Sequence, residues 1–164
     1  MFKKNEVLDF LPHRDPFLFV DSIENISLAD NIEEKEKYDP KDAIGSTVIG
    51  LYETKEEHPI FAGHFPGNPI LPGVVQIEMM AQVSSFSLTR IYPNWRDYRM
   101  DVMLLAVNSS KFRKPIIPGM KLEIHTICEK VRGPFMTNNC HIKSNGEIVS
   151  EASVLASVKL LDKE

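Results

Sequence analysis

The 164-residue chain contains no run of about 18 apolar residues, the length a membrane-spanning helix needs. No membrane span is therefore expected. Cysteine is scarce: Cys128 and Cys140 are the only two, and neither has Cys or His companions at zinc-ligand spacing. A disulfide framework is disfavoured, and reduced thiols in a cytoplasmic protein are the expectation. A basic excess is also lacking. The 19 Lys and Arg stand against 23 Asp and Glu, for a net charge of −4, which argues against a general nucleic-acid binder. The opening MFKKNEVLDFLPHRDPF has two lysines but no uninterrupted apolar segment, so no signal peptide is expected. Without one, the sequons Asn25-Ile26-Ser27 and Asn108-Ser109-Ser110 read as chance matches. Repeats and low-complexity segments are absent too, and the length suits one domain spanning residues 1–164.

Charge is unevenly spread. The chain is 26% charged, yet from Pro59 to Thr89 the only formally charged side chain is Glu78. A buried carboxylate costs several kcal/mol unless it is paired or protonated, and its pKa can rise by roughly 3–5 units. With His64 upstream, an acid–base site is one reading. A buried Glu tied to backbone donors is the other. A metal site from His58, His64 and Glu78 lacks a further close ligand at recognisable spacing, so neither metal nor cofactor is expected.

Residues 3–10 fit a short amphipathic helix, and Phe17-Leu18-Phe19-Val20 reads as a strand. The charge run Glu33-Glu34-Lys35-Glu36-Lys37 reads as a solvated face. Ala43–Tyr52 is β-rich. Prolines and glycines exclude a regular element over Ile60–Leu71. Pro72-Gly73 suits a helix start, because proline lacks a donor that the first turn leaves unused. The helix should run from Gly73 to about Ile91, roughly 28 Å at 1.5 Å per residue. It is apolar or uncharged around nearly its whole circumference, which places it inside a structure. Strands are expected over Met100–Val107, Lys121–Val131, Phe135–Lys143 and Glu147–Leu160, with Asn145-Gly146 as a type I′ hairpin. An α+β fold follows, with an antiparallel sheet wrapped around the long central helix. One sheet covers mainly one side of that helix, so a second subunit is expected on the other.

Leu11-Pro12-His13-Arg14…Pro16-Phe17-Leu18 resembles the opening motif of the hotdog-fold 3-hydroxyacyl-[acyl-carrier-protein] dehydratases of bacterial fatty acid synthesis. Gly63-His64-Phe65-Pro66-Gly67-Asn68-Pro69-Ile70-Leu71-Pro72-Gly73-Val74 resembles their catalytic loop. Glu78-Met79-Met80-Ala81-Gln82 resembles the start of their central helix, and Lys111-Phe112-Arg113-Lys114-Pro115 a segment between their strands. The resemblance implies a hotdog fold, His64 and Glu78 as the catalytic pair, and no metal. It implies active sites at a homodimer interface, with trimers of dimers in many members. Glu at position 78 resembles the branch that only dehydrates. Asp15, Met79 and Ser84-Ser85 depart from the pattern, where an aromatic, a small residue and a Gly-containing stretch are usual.

In that chemistry, His64 is expected as general base, Glu78 as acid and water-positioning group, and the Gly73 N–H as a clamp for the thioester oxygen. Phe65, Met79 and Val83 are candidate acyl-binding residues, although core packing explains Met79 and Val83 equally well. Lys111, Arg113 and Lys114 form a compact basic cluster suited to docking an acidic acyl carrier protein, the expected partner. His13 reads as structural. Two alternatives stay open: a hotdog acyl thioesterase, or a non-catalytic acyl-binding hotdog protein.

Overall fold

Alternation of apolar and polar residues over the second half of the chain produces long antiparallel strands. A computed structural model describes residues 1–33 and 35–162. Its strands are β1 (Ser22–Ser27), β2 (Thr47–Glu53), β3 (Tyr98–Phe112), β4 (Lys121–Arg132), β5 (Phe135–Ser144) and β6 (Glu147–Asp162). They form a six-stranded sheet in the order β1-β2-β4-β5-β6-β3, every pair antiparallel. Along β4 the residues Leu122, Ile124, Thr126 and Cys128 are buried while their neighbours turn outward. β5 repeats this with Met136, Asn138, Cys140 and Ile142. Asn145 and Gly146 both have positive φ, 50° and 80°, as the hairpin expectation requires.

The inward faces close on α3 (Gly73–Ser84), whose Val75, Met79, Met80 and Val83 are buried in the core. Gly50 on β2 permits a close approach to α3. A Cβ built there would lie 2.7 Å from Cγ2 of Val83, so the missing side chain lets the sheet meet the helix. The single helix expected to Ile91 is divided in three: α3, a 3₁₀ turn over Ser85–Ser87, and α4 (Leu88–Ile91). The hydroxyls of Ser84, Ser85, Ser87 and Thr89 each donate to the carbonyl three residues earlier, at 2.7 to 3.1 Å. These bonds satisfy the buried hydroxyls and coincide with the tightened turn.

The expected strand at Phe17–Val20 is not one. Leu18, Phe19 and Val20 are buried, but the Phe19 N–H donates to Oε1 of Gln82 and the Phe17 carbonyl accepts from its Nε2, both at 2.9 Å. One buried glutamine side chain takes the place of a neighbouring strand. The ladder begins later, at Ser22. Two smaller differences concern loops: Ala43 ends a 3₁₀ turn over Pro40–Ala43, and Ile60–Gly63 forms one helical turn, α2. Within the charge run, Glu34 lies outside the described residues. Lys35 pairs with Asp42 at 2.7 Å.

The amino-terminal helix, Lys4–Phe10 (α1), is pinned by rings. Phe10 stacks near Phe86 (centroids 4.5 Å apart) and edge-on to Trp95 (5.3 Å), and Phe2 meets both. This anchor directs Leu11-Pro12-His13 toward the middle of α3. At the far side of the sheet, β3 has β6 as its one neighbour among the described residues. Val102, Met103, Leu104, Leu105 and Val107 on it are 39–49% exposed.

Candidate active site

Pro66, Pro69 and Gly67 hold residues 64–72 in a compact loop. Phe65 and Asn68 exchange backbone hydrogen bonds at 3.0 and 2.9 Å around Gly67, whose φ is +76°. The Ile70 N–H donates to the His64 carbonyl, and the His64 Nδ1 lies 2.8 Å from the Ile70 carbonyl oxygen. A carbonyl oxygen can only accept, so Nδ1 carries the hydrogen. In the neutral ring, Nε2 is then an unprotonated nitrogen able to take a proton. The Phe65 ring stacks on the imidazole, with centroids 3.9 Å apart.

The loop delivers the chain to Pro72 and Gly73, the start of α3. His64, Gly73, Phe112, Arg113 and Lys114 border one open groove of about 670 Å³. The Phe112 ring lies against Gly73, and a Cβ there would stand 2.8 Å from its Cζ. Donors of the first helical turn have no carbonyl one turn back, and the helix dipole favours negative charge beside them. The groove therefore combines a base with an anion-stabilising helix end.

Glu78 sits one turn further along α3, in a second and smaller recess of about 100 Å³. Its Oε1 lies 3.2 Å from Nε2 of His13 and accepts from Nε2 of Gln82 at 3.0 Å. The side chains of His13 and Glu78 are 31% and 23% exposed. Burial alone would raise the Glu78 carboxyl pKa, but here it is lowered. The His13 hydrogen bond holds Glu78 below the ordinary value, aided by Gln82 and opposed by burial. Burial would have won without these donors.

His64 and Glu78 thus occupy different recesses, and within one chain the fold does not bring them together. Arg113 and Lys114 do border the His64 groove, but the cluster is not free. Arg113 pairs with Glu151 at 2.8 Å, Lys111 reaches the same carboxylate at 3.9 Å, and Lys114 pairs with Glu147. Phe65 is half exposed and borders another groove, beside Pro66 and Ile117. Met79 and Val83 are wholly buried and border neither recess. Their burial against the sheet fits the core-packing alternative. Sequence reasoning missed His13 and Gln82, which hold Glu78, and Phe112, which covers Gly73. All three stood inside quoted motifs, Leu11-Pro12-His13-Arg14, Glu78-Met79-Met80-Ala81-Gln82 and Lys111-Phe112-Arg113-Lys114-Pro115, but none of these named a partner.

The family model described as ApeI-like, ApeI dehydratase, matches residues 41–151. A 3-hydroxyacyl-[acyl-carrier-protein] dehydratase FabZ of Rhizobium rhizogenes is 35% identical over 162 residues, covering 97% of this chain and 89% of that one. The chain belongs to the FabZ and ApeI-like dehydratases. Among solved structures, the dehydratase heterocomplex ApeI:P from Xenorhabdus doucetiae matches with a TM-score of 0.70, over 93% of this chain and 90% of that one, at 17% identity. A hot-dog-like protein from Thermanaerovibrio acidaminovorans matches at 0.57, over 71% and 83%, at 10% identity. These likenesses show the hotdog fold. The dehydratase chain carries His64 and Glu78 in two recesses, both bordered by β3: Met100, Val102 and Leu104 at the Glu78 side, Ser110 and Phe112 at the His64 side. No helix among the described residues is long and apolar enough to cross a membrane.

Proposed function

We propose that this protein dehydrates (3R)-hydroxyacyl-[acyl-carrier-protein] to the trans-2-enoyl thioester, as a cytoplasmic homodimer in fatty acid or related acyl synthesis. The observation that carries this reading is the His64 Nδ1–H bond to Ile70, which leaves Nε2 free as a base in the groove that Gly73 borders. His64 Nε2 takes a proton from C2 of the thioester. The Gly73 N–H stabilises the charge that gathers on the thioester oxygen; losing such a donor typically costs on the order of 10²–10³ in rate. The electron pair from C2 forms the double bond to C3, and the C3–O bond breaks. A proton from the Glu78 site completes the departing water.

The two recesses meet if β3 pairs antiparallel with β3 of a second copy. Pairing about Ala106 would set Phe112 of one chain opposite Met100 of the other, and Ser110 opposite Val102. The His64 groove of each chain would then abut the Glu78 recess of its partner. The exposed apolar edge of β3 supports this, because a long unpaired edge is a template for strand addition. Arg113 and Lys114 border the groove and, with the neighbouring Lys111, would steer an acidic acyl carrier protein, even though Glu147 and Glu151 temper their charge.

The test follows both products. Purified protein is incubated with a 3-hydroxyacyl thioester on an acyl carrier protein, and enoyl absorbance is recorded together with free thiol. Enoyl formation without thiol release is expected, with His64→Ala and Glu78→Gln each slowed about 10²–10⁴-fold. Thiol release without enoyl would instead identify a thioesterase. Activity retained in both variants would sink the assignment of the pair.

A further inference from the structure

The Glu78 recess has a composition that the acid role alone does not explain. His13 and Glu78 are its only titratable residues, and the other lining side chains from α1, α3, β3 and β6 are apolar or neutral. His13 and Gln82 both address Oε1 of Glu78, at 3.2 and 3.0 Å. That leaves Oε2 unclaimed by either donor. Gln82 is itself fixed: its own oxygen accepts from Phe19 and its amide also donates to the Phe17 carbonyl. The carboxylate is therefore held at one oxygen by two groups, of which Gln82 is itself anchored to the backbone.

His13 also has a defined proton arrangement. Its Nδ1 is buried without a hydrogen-bond partner among the described residues. A buried N–H without an acceptor is rarer and costlier than an unpaired lone pair. The neutral ring with hydrogen on Nε2, donated to Glu78, is accordingly the resting form. Arg14, the neighbouring cation, turns away to the carbonyls of Leu8, Leu11 and His13. Asp15 lines a different recess, beside Lys4 and Tyr52. No other charged side chain borders the pair.

We propose that His13 is a positioning residue for the dehydration step, acting through Glu78: it pins Oε1, presents Oε2 to the C3 hydroxyl, and shares with Glu78 the proton delivered to the leaving oxygen. The inference rests on the dehydratase reading above. Glu78 is ionised in the resting pair, so Oε2 first takes a proton from solvent; when it gives that proton to the departing hydroxide, water forms and the carboxylate that remains is stabilised by Nε2–H of His13. The proton that His64 removed from C2 is released to solvent, so the cycle closes without a net change.

The test compares His13→Ala and His13→Gln in the full-length protein. Glutamine keeps a neutral donor near the Nε2 position but cannot titrate. His13→Ala is expected to lower kcat about 100-fold with KM changed less than threefold. His13→Gln is expected to recover at least tenfold of that loss, and its kcat/KM profile against pH should lack one ionisation present in the wild type. Thermal melts of both variants establish that they fold; His13→Gln alone suffices for the pH profile if His13→Ala does not. A wild-type profile in His13→Gln, or unchanged kcat in folded His13→Ala, would overturn the proposal. If the wild-type protein releases thiol without forming enoyl, the dehydratase reading fails instead, so the two failures are distinguishable.

Discussion

The ring of Phe112 lies directly against Gly73, so that a Cβ on Gly73 would stand 2.8 Å from Cζ and 3.0 Å from both Cε atoms. The glycine serves access and not conformational freedom. Gly73→Ala keeps the helix-start N–H and improves intrinsic helix propensity, but it must push the ring into the groove that His64 shares. We expect kcat/KM to fall roughly tenfold to a hundredfold, since misplacement by about 1 Å can cost that much. The melting temperature should be unchanged. Steady-state kinetics beside a thermal melt separate the two effects.

Gly50 and Val83 provide a stability prediction that also decides what Val83 does. Gly50→Ala would bring a methyl to 2.7 Å from Val83 Cγ2, and overpacking of this kind costs about 1–3 kcal/mol. Val83→Ala in the same chain should relieve part of that cost, giving a coupling of about 0.5–3 kcal/mol in a double-mutant cycle. Urea denaturation of the four proteins measures it. If Val83 lay on the acyl path instead, Val83→Ala would shift KM for long acyl chains while the two substitutions added independently.

Much of this architecture was legible in the sequence, and the exceptions have physical causes. The helix start at Pro72-Gly73, the Asn145-Gly146 hairpin and the long strands after it follow from local chemistry that tertiary contacts do not override. The first strand was misplaced because Phe17–Val20 is apolar like a core strand, while the true β1, Ser-Ile-Glu-Asn-Ile-Ser, buries only Ile23 fully. Gln82 supplies the bonds that a strand would have supplied, and nothing local announces that. Met79 and Val83 look the same on a uniformly apolar helix whether they face a sheet or a tunnel. The His13–Glu78 pair spans 65 positions, a contact that no periodicity encodes. His64 and Glu78 themselves were legible because a lone charge and its histidine stand out in an uncharged stretch.

The depressed Glu78 pKa carries a sign that can be checked. A carboxyl whose folded value lies below its ordinary 4.5 contributes stability that is present above that ordinary value. The contribution is lost as pH falls from there through the folded value. Glu78→Gln removes this contribution. At pH 7 the variant should be less stable by on the order of 1 kcal/mol, the low end for hydrogen bonds to a charged group because the pair is partly exposed. The gap should close as urea denaturation is repeated at successively lower pH below 4.5. A gap independent of pH would mean that the carboxylate form is not what His13 and Gln82 stabilise.

The division of His64 and Glu78 between two recesses predicts complementation between inactive variants. In a dimer with two equivalent sites, His64→Ala and Glu78→Gln homodimers each have both sites damaged. A mixed dimer concentrates both substitutions in one site and leaves the other with an intact His64 from one chain and an intact Glu78 from its partner. Random exchange makes half of the dimers mixed, so roughly a quarter of wild-type activity should return on mixing. Leu105→Lys, on the exposed edge of β3, should prevent both the pairing and the rescue, because it sets a charge into the apolar seam between the two β3 strands. Light scattering then reports a monomer, and that monomer should be inactive although His64 and Glu78 are both present. Activity in a demonstrated monomer would mean that one chain can bring its own two recesses together, and the shared-site arrangement would have to be abandoned.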